Sequence, residues 1–192
     1  NTMFNEIQSC FKASLHQIAV VSNNMANAST TGFKRSEGQF EDAYSTAVNG
    51  SAADLGLGAR IAENKRSHVQ GSMVQTNGTL DLAVNGRGMF MLGPLPGSTD
   101  LAYTRDGSFT LSKDGEVLAF DGRALLDVNQ QPVQIPMEDS EGRLLAGLEV
   151  DYTGTINVSY GAGSTTKLAQ ISLAAFDNPS ALRSAGHCLL YT

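Results

Sequence analysis

Tryptophan is absent, and aromatic residues make up only 7% of the 192 positions. Any core must therefore rest on Leu, Val, Ile, Ala and Met. Cysteine occurs twice, at Cys10 and Cys188, near opposite ends. No C-x-x-C spacing exists, which removes support for a zinc or thioredoxin-type site and leaves a pairing of the two open. Cys10 falls in an apolar helical pattern, where a small buried hydrophobe is the default. Charge is sparse at 17%, and 13 Lys and Arg against 19 Asp and Glu leave a net charge of -6. With one short basic pair, Lys65-Arg66, an acidic chain of this kind argues against a nucleic-acid partner.

Long hydrophobic runs are missing as well, so no membrane insertion is expected. Residues 1 to 30 lack the charge-then-apolar order of a signal peptide. Residence in the cytoplasm and export by a route that reads no cleavable signal both fit.

Chemistry-bearing patterns are equally scarce. His16, His68 and His187 are far apart and lack metal-ligand spacing. Gly86-Arg87-Gly88 is a fragment of a dinucleotide fingerprint, but it precedes a strand-like segment where phosphate binding needs a helix N-terminus. Asp106, Asp114 and Asp121 each precede Gly, which suits hairpin turns better than a calcium repeat. No G-x-S-x-G elbow is present. The expectation is no catalytic residue, no metal, no cofactor and no small-molecule ligand.

What the chain does have is glycine, at 20 residues, and one long amphipathic pattern. Phe4, Ile7, Phe11, Leu15, Ile18, Val21 and Met25 recur at steps of three or four, the spacing of one face of a helix from about residue 4 to 27. Asn5, Gln8, Lys12, His16 and Asn23 occupy the opposite face. At roughly 1.5 Å per residue the helix is about 35 Å long. So one-sided a helix needs a partner for its stripe, and no second helix of similar length is visible in the sequence. Ser29, Thr30, Thr31 and Gly32 end it.

Residues 33 to 64 read ambiguously. Phe40 to Tyr44 suggests a short helical turn, and Val48 to Gly58 a loop. From about Ala59 the pattern becomes β. Short apolar runs include Met73-Val74, Leu80 to Val84, Gly88 to Leu92, Val117 to Phe120, Ala124 to Leu126, Val133 to Ile135 and Thr155 to Val158. Turn pairs separate many of them: Asn77-Gly78, Asn85-Gly86, Asp106-Gly107, Asp114-Gly115, Asp121-Gly122 and Glu141-Gly142. The fold expected is mainly β, an antiparallel domain of many short strands and hairpins with one N-terminal α-helix. Pro94 and Pro96, with Gly93 and Gly97, mark a longer loop.

Four segments together resemble the bacterial flagellar rod and hook protein family. They are Leu15 to Asn27 with Ser29 to Lys34; Gly71 to Asn77 with Leu80 to Phe90; Tyr103 to Phe109 with Gly115 to Leu118; and, more loosely, Leu173 to Pro179 with Leu182 and Gly186. The positions that carry the likeness are Asn23, Asn24, Ala26, Asn27, Thr31, Gly32, Phe33, Lys34, Asp81, Gly86, Gly88, Phe90, Tyr103, Arg105, Gly107 and Phe109. The resemblance implies a structural subunit that polymerises with itself and with neighbouring axial proteins, after flagellar type III export. It places residues 1–32 as assembly helix and joint, 33–182 as an outer β domain, and 183–192 as a return towards a C-terminal partner helix, absent after Thr192. Cys188 to Tyr191 departs from the family's Asn-Leu-Tyr pattern. Length and the lack of a large insertion favour rod over hook. Two readings from other classes are a β-rich binding module or adhesin with an oligomerisation helix, and a hydrolase with a cryptic site.

Overall fold

The structure is a computed structural model, and it describes residues 2–44, 56–95, 99–184, 186 and 188–191. His187, Pro96, Gly97 and most of the loop expected from Val48 onward lie outside the described residues. The chain divides into two compact units, Asn1–Thr30 with Lys34–Val69, and Thr31–Phe33 with Gln70–Thr192.

In the first unit, α1 (Thr2–Ala26) is followed by β1 (Ser36–Tyr44) and β2 (Gly56–Arg66). The two strands form an antiparallel ribbon from Ser36↔Arg66 to Tyr44↔Gly56, with two irregularities. Phe40 to Tyr44 is thus strand, not the helical turn expected. Its local pattern was overridden by pairing with residues far along the chain, which a short window cannot show. α1 packs on this ribbon. It does so through a face the hydrophobic pattern did not mark. Ala13 is buried, and Ser9, His16, Val20 and Asn24 are half-buried. Their steps of three and four trace one stripe of small and polar groups. The helix therefore has a partner within its own unit, on the side opposite its apolar face.

The second unit holds the core. β3 (Gly88–Leu92), β4 (Ala102–Thr104), β10 (Leu173–Ala175), β11 (Arg183–Ser184) and β12 (Leu189–Tyr191) form one sheet in the order β10-β3-β4-β12-β11. Residues 183–184 and 189–191 are thus strands of this sheet. β7 (Leu145–Val150), β8 (Thr155–Tyr160) and β9 (Thr166–Gln170) form a three-stranded antiparallel meander, and β5 (Thr110–Leu111) pairs with β6 (Val117–Leu118). β3 is buried on both faces, which explains its unbroken apolar run. Phe90 and Leu92 join the main core with Phe109, Ile135, Ile156 and Val158, while Met89 meets Tyr103, Leu182 and Leu190 in a second cluster. Edge-to-face ring pairs hold both: Phe90 with Phe109 at 5.1 Å and Tyr103 with Phe176 at 4.7 Å.

Three core residues eight apart close a backbone ring. Val117 N–H donates to Val133 O (3.1 Å), Leu125 N–H to Val117 O (2.8 Å), and Val133 N–H to Leu125 O (2.8 Å). Each side chain is at most 1% exposed. Ala124 to Leu126 and Val133 to Ile135 thus make single bridges rather than ladders.

One turn design recurs at Ser112, Ala119, Asp127, Asp139 and Asp151. In each, the first residue's N–H donates to the carbonyl of the fifth, and the fourth residue's N–H returns to the first carbonyl. The fourth position is left-handed every time: Gly115, Gly122, Gln130, Gly142 and Gly154. Three-residue hairpin loops take this form. In the Ser112, Asp127, Asp139 and Asp151 turns, the first side chain also accepts the N–H groups of the third and fifth residues.

The strand expectation failed between Gly71 and Val84. Met73 and Val74 are exposed and irregular, and Leu80 to Val84 contributes one bridge, Asp81 with Ser108. Among the described residues no neighbouring strand lies in register here. Leu80 and Leu82 still pack on the core, tied by Leu82 N–H to Gly107 O at 2.9 Å and Phe109 N–H to Leu80 O at 3.3 Å.

Candidate functional site

The apolar stripe of α1 is a continuous exposed surface. All seven of its residues, Phe4, Ile7, Phe11, Leu15, Ile18, Val21 and Met25, are between 51% and 73% exposed. The helix covers its stripe of small and polar residues and leaves its hydrophobic face open, the reverse of the usual arrangement. Cys10 is exposed on the same helix, not buried as expected, because the ribbon covers the face of Ala13 and Val20. Among the described residues neither cysteine is in a disulfide.

The covered face is held by specific polar contacts. Asn24 Nδ2 donates to Ser36 O at 2.8 Å, and Asn24 Oδ1 accepts from Ser36 N–H at 2.9 Å. His16 Nε2 and Asn64 Oδ1 are 2.7 Å apart. At the helix end, Asn27 Nδ2 donates to Asn23 O at 2.9 Å, and Asn27 Oδ1 accepts from Thr30 Oγ1 at 3.3 Å. Asn23 and Ala26 are exposed. The asparagine-rich run thus does two jobs: Asn24 fixes the start of the ribbon, and Asn27 closes the helix.

The next residues pass into the second unit. Gly32 has φ 71°, and a Cβ there would stand 2.6 Å from Asp106 N and 2.8 Å from Arg105 C. Only glycine fits so close to another backbone while adopting that conformation. Thr31 O accepts from Cys188 Sγ at 3.4 Å, and Phe33 is half-buried. Lys34 returns to the first unit, where its Nζ donates to Val69 O at 2.8 Å.

The remaining motif positions gather around Arg105. Its Nη1 donates to Gln70 Oε1 at 3.1 Å and its Nη2 to Gly86 O at 2.6 Å. Burial lowers the guanidinium pKa from its ordinary value, although an arginine stays protonated. Asp106 Oδ1 accepts from Ser108 N–H at 3.1 Å. Gly107, Phe109, Tyr103, Phe90 and Gly88 continue from this turn into the core and its strands. Asp81 accepts from Thr76 Oγ1 at 2.7 Å. The structure thus separates the predicted residues into an exposed helix face, a joint, and core positions.

Sequence reasoning missed Arg123. It is 5% exposed, with Nε 2.9 Å from Asp121 Oδ2, Nη1 donating to Gly93 O (3.3 Å) and Asp100 O (3.0 Å), and Nη2 donating to Tyr191 Oη (2.6 Å). The guanidinium carbon also lies 5.2 Å from the Tyr191 ring centre. Arg123 sits one residue after an Asp-Gly pair, so its only sequence signal was that of a turn.

Among the described residues, no three of His, Cys, Asp and Glu are placed to hold a metal ion. Nor is any described helix long and apolar enough to cross a membrane.

Two stretches of the chain match known families. Residues 8–34 match the family described as flagella basal body rod protein, and residues 83–158 match the flagellar hook protein FlgE/F/G D1 domain. A flagellar basal-body rod protein FlgG from Buchnera aphidicola subsp. Acyrthosiphon pisum is 34% identical over 88% of this chain and 66% of its own length. The FlgG of Borreliella burgdorferi is 30% identical over 91% of this chain and 67% of its own. The chain belongs to the flagellar rod and hook protein family. The flagellar hook protein FlgE of Brucella abortus is also similar, 32% identical over 91% of this chain but 41% of its own length. The chain thus spans just under two thirds of the Buchnera protein. The two matched regions cover most of the α1 stripe with the joint, and β3 through most of β8 with the Arg105 turn. The ribbon lies between them.

Proposed function

We propose that this chain is a structural, non-catalytic subunit of the flagellar axial tube, located in the basal body or hook. It polymerises with copies of itself and with neighbouring axial proteins, encloses the export channel, and transmits torque for motility. One observation carries the reading: a helix whose apolar stripe is uncovered over its whole length while its stripe of small and polar residues is already packed. Burying the exposed part of seven large side chains, each 51% to 73% exposed, is worth roughly 6–13 kcal/mol gross. That is ample to drive assembly, and it is unused within the chain. Residues 1–32 serve as assembly helix and joint, and residues 33–182 as the outer β domain. Delivery by the flagellar type III route fits a helix that must stay uncovered until it reaches the growing tip.

A rod position is favoured over a hook position. No large insertion interrupts the β region of this sequence, and the Buchnera and Borreliella rod proteins are similar to it over 88% and 91% of this chain.

The test is to replace Leu15 and Ile18 together by Asn in the full-length protein and in this chain. Full-length protein carrying the pair is expected to be exported but not incorporated into isolated basal bodies, read by immunolabelling. This chain carrying it is expected to keep its circular dichroism and thermal transition, because both positions are exposed. Normal incorporation overturns the proposal.

A further inference from the structure

The covalent chain reaches the second unit by two routes, residues 31–33 and residue 70 onward. Both are gripped by the same turn, Thr104 to Gly107. On one route Gly32 lies against the Arg105–Asp106 backbone, at distances a side chain would not permit. On the other, Gln70 is held from two sides: its Oε1 accepts from Arg105 Nη1 at 3.1 Å, and its Nε2 donates to Val84 O at 3.3 Å. Arg105 spends its other Nη on Gly86 O. The turn is itself rooted in the sheet. Thr104 is 2% exposed at the end of β4, and its Oγ1 accepts from Asp106 N–H at 3.0 Å and donates to Cys188 O at 3.3 Å. Beyond Gln70, residues 71–77 are exposed and carry no regular structure.

We propose that the Thr104–Gly107 turn is a mechanical anchor, with Arg105 as its positioning residue. It fixes both strands by which load passes along the chain into the second unit. The purpose rests on the reading of the chain as a load-bearing axial subunit; the grip rests on the contacts alone. A planar, forked guanidinium suits the task, because it holds Gln70 and Gly86 in one plane at once. A lysine offers a single mobile point charge and reaches one of them.

The test is backbone 15N relaxation on this 192-residue chain, as wild type and as Arg105→Ala, Arg105→Lys and Gln70→Ala. In wild type, order parameters at residues 32–33 and 70 are expected near those of β4, about 0.85. Arg105→Ala is expected to drop residues 70–72 below about 0.6 and to loosen 32–33, with β3 and β8 unchanged. Arg105→Lys should recover residues 32–33 but not 70–72. Gln70→Ala, an exposed truncation, should loosen 70–72 alone. Unchanged values at both routes, or an equal fall throughout β3 and β8, overturns the anchor, and Gln70→Ala decides the matter if Arg105→Ala unfolds. The load-bearing role is read separately. Cells whose full-length protein carries Gln70→Ala should assemble basal bodies normally yet lose swimming speed in viscous medium. Assembly with undiminished speed overturns that role while leaving the anchor standing.

Discussion

Asn24 and Ser36 are joined by a reciprocal pair of hydrogen bonds, side-chain amide to backbone amide, 2.8 and 2.9 Å long. One side chain on α1 thus imitates a strand and pairs with the first residue of the ribbon. The pairing needs both a donor and an acceptor on one short side chain, which asparagine supplies.

Asn24→Ala should therefore free the start of the ribbon. It leaves a half-buried N–H and C=O of Ser36 without their partner, a cost of about 1–3 kcal/mol. Amide exchange at Ser36 is expected to rise by at least tenfold, while that of Leu125 and Val133 in the second unit stays constant. An unchanged Ser36 rate would show that the contact contributes nothing in solution.

Gln130 is the only one of the five left-handed turn positions that is not glycine, at φ 60°. Left-handed backbone costs a side-chain-bearing residue about 1–2 kcal/mol, and a glycine returns roughly 0.4–1 of that through the unfolded chain. Gln130→Gly should stabilise the protein by about 0.5–1 kcal/mol in urea denaturation. Gly142 has φ 76° and open space around it, so Gly142→Gln should cost a similar amount by backbone strain alone. Opposite signs from the same exchange at equivalent positions are the outcome to look for.

Acid should loosen the turns. Asp127 and Asp139 are held below the usual carboxylate range chiefly by the N–H groups of Gln131 and Arg143, and Asp151 chiefly by the Thr153 hydroxyl. Each folded-state pKa is depressed relative to an unfolded value of about 3.9. The stabilisation is therefore complete above the unfolded value and is lost as pH falls through the folded-state values. The urea midpoint is expected to be flat at mildly acid pH and to fall below about pH 4. The triple change to Asn at 127, 139 and 151 keeps an acceptor but removes the charge. It should lower stability near neutrality and flatten the acid limb; an unaltered acid limb would contradict the assignment.

Legibility in the sequence followed the range of the interactions. The α1 stripe was visible because helical periodicity is local, and so were the turns marked by Asp-Gly. The Asp127 turn escaped because Gln130 carries no glycine signal, although Asp at its first position is shared with the turns at Asp139 and Asp151. β1 was hidden because its partner begins at Gly56, far along the chain. The strap from Gly71 to Val84 misled in the opposite sense: Leu80, Leu82 and Val84 alternate, but among the described residues the stretch makes a single bridge, Asp81 with Ser108. At the joint, Gly32 and the Arg105 turn were both marked as motif residues. That they meet is a fact of tertiary structure, which no spacing encodes.

The placement of α1 on its ribbon bears on how fast an incoming molecule can engage it. An isolated amphipathic helix must fold as it binds, and the entropy of ordering it is subtracted from the affinity. Here the small and polar face has met that cost before any encounter. The stripe is presented as a finished surface. Docking onto it should be limited by collision and orientation, with the rate rising in proportion to concentration and showing no plateau from a slow folding step.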